Sequence, residues 1–199
     1  FSLVGEDWVG VATGVKKNIN GLWGSSESSV YGVGPEGAIY FFNGGGWTPQ
    51  PSVTDANLNG IFGHGPSNIL AVGSEGTILR FNGLVWEEEL TANTNSELRD
   101  VWGASQTDVY AVGAYAVQHF DGYEWKPKSL GSLQMRDFTS IYGLSATEQW
   151  VTARLGWVYS RSTANPDEWT AVQFDHLQDV NDVWASSSSC LLYTSPSPR

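Results

Sequence analysis

Gly21-Leu22-Trp23-Gly24 returns as Gly60-Ile61-Phe62-Gly63, as Asp100-Val101-Trp102-Gly103, as Ser140-Ile141-Tyr142-Gly143 and as Asp182-Val183-Trp184-Ala185. The aromatic member stands at 23, 62, 102, 142 and 184, in steps of 39, 40, 40 and 42. A separate tryptophan series at 8, 47, 86, 125 and 169 steps by 39, 39, 39 and 44. Two independent series keeping one period over the chain identify a tandem repeat of about 40 residues.

Three further segments recur inside each unit. Val30-Tyr31-Gly32-Val33-Gly34 is echoed by Ile69-Leu70-Ala71-Val72-Gly73 and Val109-Tyr110-Ala111-Val112-Gly113, and Ala38–Phe42 by Thr77–Phe81. The last begins at the tryptophan of the second series. Each is short and rich in β-branched and aromatic residues, which reads as strand. Gly34-Pro35-Glu36-Gly37 and Gly73-Ser74-Glu75-Gly76 place glycine where a tight turn needs positive φ. Asn43-Gly44, Asn82-Gly83 and Asp121-Gly122 are hairpin dipeptides. A four-stranded antiparallel meander of this size is one β-propeller blade. Both faces of such a sheet carry apolar residues, and packing blades around an axis buries both. Small residues (Gly24, Gly63, Gly103, then Gly32, Ala71, Ala111) suit the crowded strands near that axis. A stacked β-solenoid is the alternative, but its repeats are shorter and lack the hairpin signature.

The predicted architecture is therefore an all-β propeller with blades at 18–56, 57–97, 98–136 and 137–176. Residues 1–17 read as the end of a preceding blade and 177–189 as the start of a following one. Four full blades make an incomplete ring, unless the two chain ends join as a fifth. The start at Phe1 reads as a processed or fragmentary terminus. Cys190–Arg199 breaks the pattern and resembles the conceptual translation of a transposon-type sequencing adapter, in which case the one cysteine is not native.

The 199 residues carry 10 Lys+Arg against 21 Asp+Glu, a net charge of −11, which argues against nucleic acid or an anionic membrane as principal partner. No apolar run reaches the length of a membrane-spanning helix.

The pattern Gly-Ile/Leu-Trp-Gly, Val-Tyr-Ala-Val-Gly, Gly-x-Ile, Asp/Asn-Gly-x-x-Trp resembles the propeller repeats of many bacterial secreted proteins and lipoproteins. It is more distantly similar to Asp-box (BNR) and WD-repeat propellers. Gly44/Trp47, Gly83/Trp86 and Gly122/Trp125 match the end of an Asp-box, although Asn43, Asn82 and Asp121 directly precede the glycine instead of standing two before it. The resemblance implies the fold and an extracellular, periplasmic or cell-surface location. It implies no single function, because propellers host many.

Catalytic signatures are sparse. His64, His119 and His176 fall in different repeats and columns, which is not the spacing of a zinc site, and each is expected on a loop or strand surface. A sialidase-like centre needs inward arginines, whereas Arg80, Arg99, Arg136, Arg154 and Arg161 are expected in later strands or connections. Glu87–Glu89 and the looser Asp175, Asp179 and Asp182 read as solvated acidic surface, without a calcium-loop pattern. No cofactor or metal is expected.

Recognition is sought where units depart from the repeat on one rim, the one shared by the strand-two-to-three turns and the connections between blades. There the third unit has Ala114-Tyr115-Ala116 and the fourth Arg154-Leu155-Gly156-Trp157 in place of Pro/Ser-Glu-Gly. Tyr115, Arg154 and Trp157 are the candidate binding residues, with simple drift of a degenerate blade as the alternative. The expected function is a non-enzymatic binding or scaffold propeller for a protein or carbohydrate partner, within a larger chain. Alternatives are a glycan-active hydrolase or lyase with catalytic residues in other blades, and a structural segment of a large surface protein.

Overall fold

The computed structural model describes residues 2–4, 7–9, 13–89, 94–130, 136–174 and 178–194. β1 (Ser2–Val4) and β2 (Asp7–Val9) pair as a two-stranded antiparallel sheet. Four antiparallel meanders follow. The first is β3 (Gly21–Ser26), β4 (Ser29–Val33), β5 (Ile39–Phe42) and β6 (Trp47–Pro49). The second is β7 (Leu58–Gly65), β8 (Asn68–Gly73), β9 (Ile78–Phe81) and β10 (Trp86–Glu88). The third is β11 (Leu98–Ser105), β12 (Asp108–Gly113), β13 (Ala116–Phe120) and β14 (Trp125–Pro127). The fourth is β15 (Phe138–Ser145), β16 (Glu148–Ala153), β17 (Trp157–Ser162) and β18 (Asn165–Gln173). β19 (Asp182–Ser187) and β20 (Cys190–Thr194) form a last hairpin. A 3-10 turn at Ser74–Gly76 is the one helical element among the described residues.

The first strands stand side by side in the order β3, β7, β11, β15, β19, so the sheets fan about an axis as propeller blades. Second strands are the core of each blade: Ile69–Val72 and Val109–Val112 are buried on both faces. Each such aliphatic side chain is worth about 1.5–3 kcal/mol in removed apolar surface. The glycines beside the axis have a more specific task than general crowding. A Cβ on Gly63 would stand 2.8 Å from the Trp23 ring, and one on Gly143 2.5 Å from Trp102, so each indole lies flat on the next unit's glycine.

A second column ties neighbours through polar bonds. Asn20 donates to the Leu58 carbonyl (2.9 Å), Asn59 to Leu98 (2.8 Å), Arg99 to Phe138 (2.8 Å) and Thr139 to Val180. Each donor precedes the recurrent aromatic stretch, and each acceptor is the main-chain carbonyl of the residue just before the corresponding place one unit on.

The Asn/Asp-Gly hairpins form, though by a route other than a two-residue turn. The side-chain oxygen of Asn43 accepts from the amides of Gly45 and Gly46, that of Asn82 from Leu84 and Val85, and that of Asp121 from Tyr123 and Glu124, all at 2.9–3.2 Å. This Asx cap closes a four-residue loop and brings the flanking aromatics together, Phe42–Trp47, Phe81–Trp86 and Phe120–Trp125 meeting at 5.2–5.4 Å.

Two expectations need correction. First strands of the second to fourth units begin two residues earlier than the repeat stretch, across a register shift at Leu58/Gly60, Leu98/Asp100 and Phe138/Ser140. Arg99 therefore lies in an innermost strand, not a later one. Among the described residues the chain ends do not join as one blade: β1–β2 and β19–β20 are separate two-stranded sheets. Cys190–Thr194, where the sequence pattern breaks, still pairs in register with β19, because a ladder of main-chain bonds asks little of its side chains. That strand stays mostly exposed, unlike the second strands of the complete units.

Candidate functional site

The strand-two-to-three turns hydrogen-bond the connections that enter or leave their units, so both kinds of segment share a rim. Gly37 N–H donates to the Ala56 carbonyl (2.8 Å), Ala114 to Glu97 (2.8 Å), Tyr115 to Arg136 (3.0 Å) and Arg154 to Asp137 (3.0 Å). The column Asn57, Asp137 and Asp179 lies just before the following unit's inner strand. Asn57 Oδ1 takes the Glu36 amide and Asp179 Oδ1 the Leu155 amide, each at 3.0 Å.

At every turn one non-glycine residue has left-handed backbone: Glu36 (φ 52°), Glu75 (58°), Tyr115 (58°) and Leu155 (59°). That conformation costs an L-residue about 1–2 kcal/mol. The first two units place a carboxylate there; the next two place large apolar side chains, Tyr115 59% and Leu155 54% exposed. Between them opens a cleft of about 400 Å³ lined by Tyr115, Arg136, Asp137, Arg154, Leu155 and Asp179. Its size falls in the range of ligand sites.

The cleft floor is a charge network. Asp137 accepts from Arg99 Nη1 (2.5 Å) and pairs with Arg154 Nε (2.9 Å), while Arg154 also faces Asp179 at 3.8 Å. Arg136 differs. Its guanidinium stacks over the Trp157 ring at 4.2 Å and hydrogen-bonds the Tyr159 hydroxyl, whose pKa burial raises. No carboxylate pairs with it among the described residues.

Of the residues singled out from sequence, Tyr115 and Arg154 line this cleft together. Trp157 does not line it; half-buried, it backs Arg136. Arg136, Asp137, Leu155 and Asp179 were missed. The legible signal was the polar column Asn57, Glu97, Asp137 and Asp179, visible once units are aligned on the residue before each inner strand.

The other candidates serve packing. His64 Nε2 donates to the Gly103 carbonyl in the next unit at 3.2 Å, and burial lowers its pKa. His119 Nε2 meets Asp108 Oδ1 at 2.7 Å and stacks on Tyr110 at 4.3 Å, while Arg161 lies over Tyr110 and Trp169. Glu89 is held by Arg80. His176 and Asp175 lie outside the described residues.

No family model matches the chain, and no curated protein does. Among solved structures it is similar to YCF48 bound to D1 peptide, with a TM-score of 0.68 and 12% identity over 91% of this chain. It spans 63% of that chain. At this identity the likeness establishes the propeller fold.

Proposed function

We propose that the chain is a non-enzymatic binding propeller whose rim cleft takes a peptide segment of a protein partner. An apolar side chain of that segment lies between Tyr115 and Leu155, and a neighbouring carboxylate meets Arg136. The observation carrying this reading is the position of the departures: the two turns that abandon the acidic pattern are adjacent, and the cleft opens between them. The net charge of −11 does not oppose a carboxylate there, since charges beyond about 10 Å are largely screened at physiological salt. The structural neighbour's bound peptide supports a protein partner over a sugar.

Selection from a displayed peptide library, followed by fluorescence anisotropy on the full chain, tests it. Selected peptides are expected to pair an acidic with an apolar residue. Tyr115→Ala and Arg136→Gln should each weaken binding at least about tenfold, or about 1.4 kcal/mol, with Glu36→Gln without effect. Peptides that bind all three variants equally overturn the reading. A glycan array run in parallel shows the alternative: sugar binding lost in Tyr115→Ala would replace the peptide by a carbohydrate.

A further inference from the structure

The column that begins the recurrent stretch reads Gly21, Gly60, Asp100, Ser140, Asp182. In the last three units it makes a continuous polar contact across three inner strands. Ser140 Oγ lies 2.7 Å from Asp100 Oδ2 and 2.8 Å from Asp182 Oδ1. Asp100 also accepts the amides of Ile141 and Val101, both at 2.9 Å, and Asp182 accepts that of Val183 at 2.8 Å.

A serine hydroxyl owns one proton. It can donate to one carboxylate, but a second hydrogen bond requires it to accept, and an ionised carboxylate has nothing to give. Both short contacts are hydrogen bonds only when one carboxyl is protonated. We propose that Asp100, Ser140 and Asp182 form a proton-holding clasp joining the third, fourth and last units, closed while the two carboxyls share one proton and loosened once both ionise.

The surroundings favour retention of that proton. Burial pushes the Asp100 carboxyl up to about 6, outweighing its hydrogen bonds from Ile141, Ser140 and Val101, and the Asp182 charge adds in the same direction. Asp182, on β19, is the charged group that faces Asp100. From β7 comes the side-chain-free Gly60 and from β12 the ladder partner Val112. β15 offers the Ser140 hydroxyl and the Ile141 amide. Arg99, next in sequence, is committed to Asp137, Glu97 and the Phe138 carbonyl. With a folded value above the ordinary carboxyl value, the native chain holds the extra proton between pH about 4 and 6. The clasp's contribution is complete below that window and is lost as pH rises through about 6. The β19–β20 hairpin then keeps its apolar packing and the Thr139–Val180 bond but loses one of the two Ser140 contacts.

Carboxyl carbon NMR and hydrogen exchange on the full chain test this. The Asp100 carboxyl should titrate near 6. Asp182→Asn, whose amide donates to Ser140 and frees the hydroxyl proton for Asp100, should move that midpoint down. Ser140→Ala, which removes a donor to the ionised form, should move it up. After correction for intrinsic exchange, Val183 protection should fall at least about tenfold between pH 5 and 7.5 and stay level in Asp182→Asn. A midpoint near the ordinary value of about 4, or one that Asp182→Asn leaves unmoved, overturns the clasp. So does equal loss of Val183 protection in both proteins.

Discussion

The first two complete units and the two after them share a backbone plan and differ at both ends of it. At the axis the early pair carries Gly21 and Gly60, the later pair Asp100 and Ser140; at the rim the early pair carries Glu36 and Glu75, the later pair Tyr115 and Leu155. A Cβ on Gly60 would sit 2.8 Å from the Arg99 carbonyl oxygen and the Asp100 Cα, so early blades approach backbone to backbone. Later blades put side-chain hydrogen bonds in that place. The Asn20, Asn59, Arg99 and Thr139 bonds run through both halves. What holds the blades in step is thus separate from what varies between them.

Five substitutions can break or sharpen this contrast. Trp102 is 8% exposed between two blades, whereas Trp184 is 47% exposed at the end of the series. Trp102→Ala should cost about 3–5 kcal/mol in urea unfolding and Trp184→Ala less than about 1. Equal costs would mean that the last unit is packed as tightly as the others. Next is Gly60→Ala, expected to lose about 1–3 kcal/mol because the methyl group meets main chain that cannot yield. Ser140→Ala should lose less at pH about 5, about 1 kcal/mol, by removing hydroxyl hydrogen bonds without a clash. Tyr115→Ala should change stability by less than about 0.5 kcal/mol while weakening peptide binding, which separates rim from core. A large stability loss there would make Tyr115 a packing residue.

The sequence showed the fold well because repetition exposes packing. A tryptophan that must lie on a neighbour's glycine, as Trp23 does on Gly63, leaves both residues in register every 40 or so positions. The Asx-capped loops were equally visible, although the motif reads as a two-residue turn until the Asn82 side chain is seen taking two amides. The cleft was half legible. Tyr115 and Arg154 stood out by breaking a column, but Arg136 and Asp137 lie in a connection whose length varies. Nothing in the order of residues says that Arg136 turns onto Trp157. The Asp100–Ser140–Asp182 contact was hidden for a related reason. Its members are 40 and 42 residues apart, and only the geometry shows two oxygens competing for one proton.

The bond from each unit to the main-chain carbonyl of the next has an evolutionary corollary. A peptide oxygen is present whatever residue bears it, so a unit that keeps its own donor can be copied, deleted or moved beside a different neighbour and find its attachment waiting. Asparagine, arginine and threonine all fill the donor position, which shows how loosely that half is specified. An array built on such joints can lengthen by duplication first and acquire distinct rim chemistry in each copy afterwards.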